Sequence, residues 1–159
     1  MQDSSQGYRD HSVDEITSIL DDMPLVDGIP DTIQLCESMG FRPVLASCTW
    51  TVVSEYLARR FGFLAWCGPE LETRDGIFTG NVASFADAQE KVTFARKLCA
   101  RWNTDLASCI AIGDSRSDLM LFDAVGASLA FNADQVARER ATLALDGTDI
   151  SDALHYFRR

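Results

Sequence analysis

The segment Ile110-Ala111-Ile112-Gly113-Asp114-Ser115-Arg116-Ser117-Asp118 runs from a short apolar stretch into a polar loop with two carboxylates. A carboxylate placed just beyond a buried strand points into the crevice at the strand's carboxyl end. Its hard oxygens suit Mg2+, which takes one or two carboxylates and leaves positions for water and substrate phosphate. Asp118 follows one helical turn after Asp114, a spacing that lets both face the same way. Gly113 lets the backbone turn tightly. The plainer reading is that Asp114 or Ser115 caps a helix over 117–124, and the loop alone does not separate the two.

Ser47 follows the apolar run Pro43-Val44-Leu45-Ala46 in the same manner. Its hydroxyl and the next backbone N–H groups, at a helix start, could hold a phosphoryl oxygen. Thr49 or Thr51 capping a helix over 51–61 is the competing reading. Lys91 opens a long amphipathic stretch on its polar side, where most lysines are solvated surface charge. Arg116 is similar. His11 and His155 lie near the termini and receive no role, and Trp50, Trp66 and Trp102 read as core.

Positioning these groups needs a scaffold of short strands and helices. Ser12 caps a helix through Leu20, and residues 1–10 look unstructured. Ile29, Ile33, Cys36 and Met39 stripe a helix that Gly40 ends. The runs 43–46, 63–67, 109–112 and 127–131 read as buried strands. Thr73-Arg74-Asp75-Gly76 marks a hairpin between residues 70–72 and 77–79. Val92, Ala95, Cys99 and Trp102 stripe a helix over 87–102, and helical pieces follow near 133–140 and 150–157. Strand and helix alternate, so the expected fold is α/β, a doubly wound (Rossmann-like) parallel sheet. Ligands bind such sheets at the carboxyl ends of the strands, where both polar turns stand.

The chain of 159 residues has a formal net charge of −10 and 47% hydrophobic residues. The charge argues against a nucleic-acid or anionic-membrane partner, which would want a basic face. It says nothing against a local anion site. No apolar run approaches the length of a membrane span, and the first residues lack a signal peptide's apolar stretch. Five cysteines, without Cys-x-x-Cys spacing, fit free thiols in a reducing cytoplasm better than disulfides or zinc. No Gly-x-Gly-x-x-Gly or P-loop pattern supports a nucleotide-binding or response-regulator module.

The order Ser47, then Lys91, then Gly113-Asp114-Ser115-Arg116-Ser117-Asp118 resembles the haloacid dehalogenase (HAD) superfamily. Pro24-Leu25-Val26-Asp27-Gly28-Ile29, Val44-Leu45-Ala46-Ser47-Cys48-Thr49-Trp50 and Arg74-Asp75-Gly76-Ile77-Phe78-Thr79-Gly80 extend the likeness to the phosphoserine phosphatase branch, from about Met23 to Phe157. The branch more often has Asn at the position of Ser117, and Ser-Gly-Gly-Phe where this chain has Ser47-Cys48-Thr49-Trp50. The resemblance implies Mg2+-dependent phosphomonoester hydrolysis of phosphoserine or a similar small phosphorylated metabolite. It makes Ser47 a hydrogen-bond donor to the phosphoryl group and Lys91 the neutraliser of its charge. It makes Asp114 the metal ligand and Asp118 the support of the metal shell.

The family's nucleophile is the first Asp of an Asp-x-Asp-x-Thr motif on an earlier strand. No two aspartates of this chain are separated by one residue. The expectation is therefore a HAD-like core over 23–159 without the first strand and most of the cap. Residues 1–22 are read as a cap remnant: a disordered N-terminus and a short helix. Such a chain is a fragment or is incompetent alone, completed by another chain or a second copy. A non-catalytic relative that binds a phosphate ligand or a protein is the alternative.

Overall fold

The computed structural model describes residues 2–157. In chain order the elements are α1 (Gln2–Gln6), α2 (Val13–Asp21), α3 (Ile29–Ser38), β1 (Leu45–Ala46), α4 (Thr51–Phe61) and β2 (Trp66–Cys67). The hairpin strands β3 (Glu70–Arg74) and β4 (Ile77–Ser84) follow, then α5 (Ala88–Arg101), β5 (Ile110–Gly113) and α6 (Leu119–Ala124). The chain ends with β6 (Ala127–Phe131), α7 (Gln135–Arg140), β7 (Leu143–Leu145) and α8 (Asp152–His155). Two compact units divide these elements: Met1–Leu25 with Pro43–Asp87, and Val26–Arg42 with Ala88–Arg159.

In the first unit β1 and β2 pair in parallel, Leu45 opposite Trp66 and Ala46 opposite Cys67. β3 and β4 form the expected antiparallel hairpin, turning through Asp75 and Gly76, both at positive φ. The core is Trp50, Leu71 and Phe78, against which Tyr8, Val13, Ile16, Val52 and Val82 pack. Val13 and Ile16 come from α2, whose capping box at Ser12 and Glu15 satisfies two backbone donors and sets its start.

Met1 lies outside the described residues, and residues 2–10 are not unstructured as expected. Gln2–Gln6 forms a short helix, and Ser5 is fully buried, donating from Oγ to Gly80 O at 2.8 Å. Tyr8 then meets Trp50 and Phe78 edge-on, at ring separations of 6.5 and 5.7 Å. A polar sequence with one aromatic carries no periodic signal, yet a few long-range contacts order it.

In the second unit β5, β6 and β7 form a parallel sheet with β6 in the middle. The strand period of two divides its side chains between two faces. Ala111 and Ala130 point to one face, where Phe122 of α6 and Ala137 of α7 cover them. Ile112, Leu129 and Phe131 point to the other, under Val26, Ala153 of α8 and Ile150. Helical cover on both faces is what a doubly wound α/β arrangement requires. β7 lies where the sequence assigns no element, because three residues are too few to show alternation.

β1 pairs with β2 alone, and β5 with β6 alone, so each keeps one edge without a strand partner among the described residues. No helix among them is long and apolar enough to cross a membrane.

Candidate phosphate and metal site

Asp118 organises the loop after β5. Its Oδ2 accepts from the backbone N–H of Asp114 at 3.1 Å and of Ser115 at 3.2 Å. Ser115 Oγ donates to the same oxygen at 3.3 Å. This is a capping box around the 3-10 turn Arg116–Asp118, and α6 begins only at Leu119 with Asp118 at its cap position, so Ser115 caps the turn rather than a helix over 117–124. Asp114 caps nothing.

Asp118 does not stop at capping. Its Oδ1 accepts from Lys91 Nζ at 2.7 Å, and Lys91 also donates to Ser117 Oγ at 3.0 Å. Ser117 Oγ lies 3.1 Å from Ser115 Oγ, closing a small network. Lys91 is 4% exposed and Asp118 7%, so the expected solvated lysine is a buried cation in full ion pairing. Its place near the start of α5 faces the β5 loop rather than water. Such burial requires a partner, and the partner lies 27 positions on, beyond any local pattern.

Gly113 is needed for a reason other than turning. A Cβ there would lie 2.4 Å from Asp118 Cγ and 2.6 Å from Oδ2. The carboxylate folds back over a position that only glycine leaves open.

Asp114 has the opposite environment. Its side chain is exposed and makes no hydrogen bond among the described residues. Its carbonyl accepts from Asp134 N–H at 2.9 Å, and Asp134 caps α7 through Ala137 N–H, so the backbone is tied down while the carboxylate is free. The two aspartates therefore do not present one shared face. Asp118 is committed inward, with both oxygens bonded, and Asp114 alone is available to a ligand.

The Asp114 carboxylate fits Mg2+ in kind: hard oxygens, exposed and free of hydrogen bonds among the described residues, on a backbone that is tied down. Among the described residues no group of three or more His, Cys, Asp or Glu side chains could hold a metal ion, so an ion at Asp114 would need water, phosphate or other carboxylates to complete its shell.

Ser47 belongs to the first unit, directly after β1. Its N–H donates to Cys67 O at 3.2 Å, and its Oγ accepts from Thr49 N–H at 3.0 Å. That bond leaves the hydroxyl proton free to donate. Neither Thr49 nor Thr51 caps α4; Trp50 stands at the cap position without a side-chain bond and is buried. Trp66 and Trp102, expected in the core, are half-buried under the guanidinium groups of Arg59 and Arg42. Sequence reasoning missed Gly68, whose Cβ would lie 2.5 Å from Thr49 O, so the turn after Ser47 rests on it.

The site is thus an acidic loop at the carboxyl end of a parallel strand in an α/β unit, keyed to a distant lysine. The sequence matches the haloacid dehalogenase-like hydrolase family over residues 1–123, and the chain belongs to that family. It is 26% identical over 140 residues to the phosphoserine phosphatase of Haemophilus influenzae, covering 87% of this chain and 45% of that protein. It is 30% identical over 131 residues to a phosphoserine phosphatase of Mycobacterium tuberculosis, covering 82% of this chain and 32% of that one. The chain thus spans half or less of the length of these two relatives. Among solved structures, a phospho-aspartyl intermediate analogue of phosphoserine phosphatase superposes with a TM-score of 0.85 at 19% identity, covering 98% of this chain and 75% of that one. A probable phosphoserine phosphatase from Vibrio cholerae gives 0.86 at 21% identity, over 94% and 47% of the two chains. At these identities the superpositions establish the fold, α/β with parallel strands.

Proposed function

We propose that this chain carries the phosphate- and magnesium-binding part of a phosphomonoester hydrolase acting on phosphoserine or a similar small metabolite in the cytoplasm. The observation that carries this reading is the buried Lys91–Asp118 pair beside the free carboxylate of Asp114. A structural loop would need only the capping box. A lysine held in low dielectric by a fixed acid is suited to a ligand's negative charge, because its position costs no reorganisation when the charge arrives.

In this reading Asp114 holds the ion, and Mg2+ would neutralise charge on the transferring phosphoryl oxygens. Asp118 fixes the ammonium of Lys91 and the N–H groups of Asp114 and Ser115. Lys91 meets the phosphoryl oxygens. For Ser47 the support is its order in the sequence, its place after β1 and its available hydroxyl proton, which suits donation to a phosphoryl oxygen. None of the 17 aspartates stands in an Asp-x-Asp pair, so the 159 residues hold no nucleophile of the family's type. We therefore assign little or no turnover to these residues alone, with completion by another chain or segment.

The test uses the purified chain. Mg2+-dependent binding of inorganic phosphate, measured by calorimetry, is expected for the native sequence and lost in Asp114→Asn. Phosphoserine hydrolysis is expected only after adding a peptide with an apolar strand ending in Asp-x-Asp-x-Thr. Robust hydrolysis without the peptide, abolished by Asp114→Asn, would defeat the assignment of the nucleophile to another segment. Phosphate binding equal in both sequences would defeat the site.

A further inference from the structure

Two cysteines that the phosphate site does not use meet in the second unit. Cys99 lies in the last turns of α5, and Cys109 immediately precedes β5. Their sulfur atoms are 3.5 Å apart, within hydrogen-bond contact, and both are thiols. Cys109 Sγ also donates to Asp105 O at 3.3 Å, which fixes its direction. An S–S bond is about 2.05 Å long, so the sulfurs need to approach by only about 1.5 Å, a shift within reach of side-chain rotation.

We propose that Cys99 and Cys109 are an oxidation site of this protein, a dithiol that closes to an intramolecular disulfide under a peroxide. Cys109 is half-exposed and Cys99 is 7% exposed, so Cys109 meets the oxidant first. Its thiolate attacks one peroxide oxygen, the O–O bond breaks, and the other oxygen leaves as water with the proton that Cys109 gave up. Cys109 is now a sulfenic acid. The Cys99 sulfur attacks the Cys109 sulfur, the S–O bond breaks, and a second water carries away the Cys99 proton. Two thiols are oxidised to one disulfide, and hydrogen peroxide is reduced to two waters.

The environment sets the speed. Burial, then the hydrogen bond shared with Cys99, pushes the Cys109 thiol up to about 11. Because the thiolate is the nucleophile, only about one ten-thousandth of such a thiol is reactive at pH 7. The pair is therefore slow at neutral pH and accelerates about tenfold per pH unit below that pKa. The link would join the end of α5, the helix that carries Lys91, to the start of β5, the strand that leads to Asp114. The reacting atoms of the phosphate site stay untouched.

Trypsin separates the two cysteines, since Lys97, Arg101 and Arg116 place them in peptides 98–101 and 102–116. The reduced chain is treated with hydrogen peroxide to the point where the exposed Met120 becomes its sulfoxide, then alkylated and digested without reductant. The expected product is peptides 98–101 and 102–116 joined, lighter by two hydrogen atoms than their sum and parted by dithiothreitol. Its rate should rise about tenfold from pH 7 to pH 8. Cys99→Ser should give Cys109 sulfinic acid and no joined peptide. Because Cys99 is buried and its variant can fail to fold, Cys109→Ser at the half-exposed position must also abolish the product. Cys99 and Cys109 both recovered as alkylated thiols, or either joined instead to Cys36, Cys48 or Cys67, would overturn the proposal.

Discussion

Lys91 Nζ and Asp118 Oδ1 stand 2.7 Å apart, with side-chain exposures of 6% and 10%. Neither charge has water to fall back on, so each is tolerable only while the other is present. Removing one partner of a buried pair costs about 3–5 kcal/mol, much of it the penalty for the charge left behind. Lys91→Met should therefore destabilise the chain by about that amount. Asp118→Asn should do so too, because it strands the ammonium and weakens acceptance from two backbone N–H groups. The double variant Lys91→Met/Asp118→Asn should be markedly more stable than the sum of the singles predicts. Urea unfolding of the four sequences measures the coupling. Additive losses would mean that the pair is not energetically linked.

Gly113→Ala tests the same centre by shape. The added Cβ would lie 2.4 Å from Asp118 Cγ, a distance real Cβ atoms do not adopt. The carboxylate must move, and with it the bonds to Lys91, Asp114 N–H and Ser115 N–H. The expected loss is about 1–3 kcal/mol, since a buried ammonium is left poorly satisfied. Wild-type stability with phosphate binding retained would show that the carboxylate can relocate at no cost.

The positions of Ser47 and Asp114 were legible in the sequence because each directly follows an apolar run, and strand ends are where ligands gather. The longer helices α2 to α5 were legible from their stripes, and the hairpin from Asp75-Gly76. What was not legible is non-local. Lys91 reads as surface until Asp118, far along the chain, takes its charge. Ser5 reads as part of a polar tail until Gly80 offers its carbonyl. Gly113 reads as a turn former and Gly68 carries no signal, whereas a carboxylate and a carbonyl lie where their side chains would be.

Asp114 should behave unlike its neighbour. Its carboxylate is exposed and bonded to nothing among the described residues. Asp114→Asn should change stability by no more than about 0.5 kcal/mol, the usual range for such positions. It should nevertheless weaken Mg2+ binding, because a neutral amide replaces one of very few carboxylate ligands. Thermal unfolding with and without Mg2+ separates the two effects: the ion should raise the midpoint of the native sequence and not that of the variant. An equal rise in both would place the ion elsewhere.

A pH effect should arise at the junction of α6 and α7. Arg140 holds Asp123 through two hydrogen bonds, which lower the carboxyl below its ordinary value of 3.8. The folded state thus binds the proton less readily than the unfolded chain. The stabilisation is complete at neutral pH and is lost as pH falls through the depressed folded value. Both groups are exposed, so the effect is modest and screened by salt. Asp123→Asn should flatten the acid limb of a stability–pH curve while leaving the slope between pH 6 and 8 unchanged. An unaltered acid limb would mean that the pair is equally present in the unfolded chain.

The open strand edges give the last expectation. β6 is paired on both sides, by β5 and β7, and is almost wholly buried. β5 is paired on one side only, although Ala111 is buried and Ile110 and Ile112 are partly so. In a parallel strand successive N–H groups point to opposite edges, so alternate amides of 110–113 face β6 and the others face the open edge. Unlike the direct pairing or filled slot that a buried sheet edge would demand, both β1 and β5 keep a free edge among the described residues. Hydrogen exchange should therefore split β5 into protected and fast amides while β6 exchanges slowly throughout. A free, apolar edge also templates pairing with other chains. The purified chain should scatter light at concentrations where an edge-blocking variant, Ile110→Lys, does not. If the β5 amides exchange as slowly as those of β6, a strand covers that edge in solution. If, in addition, the chain stays monomeric and unfolds in one transition, the edge is no liability and the expectation fails.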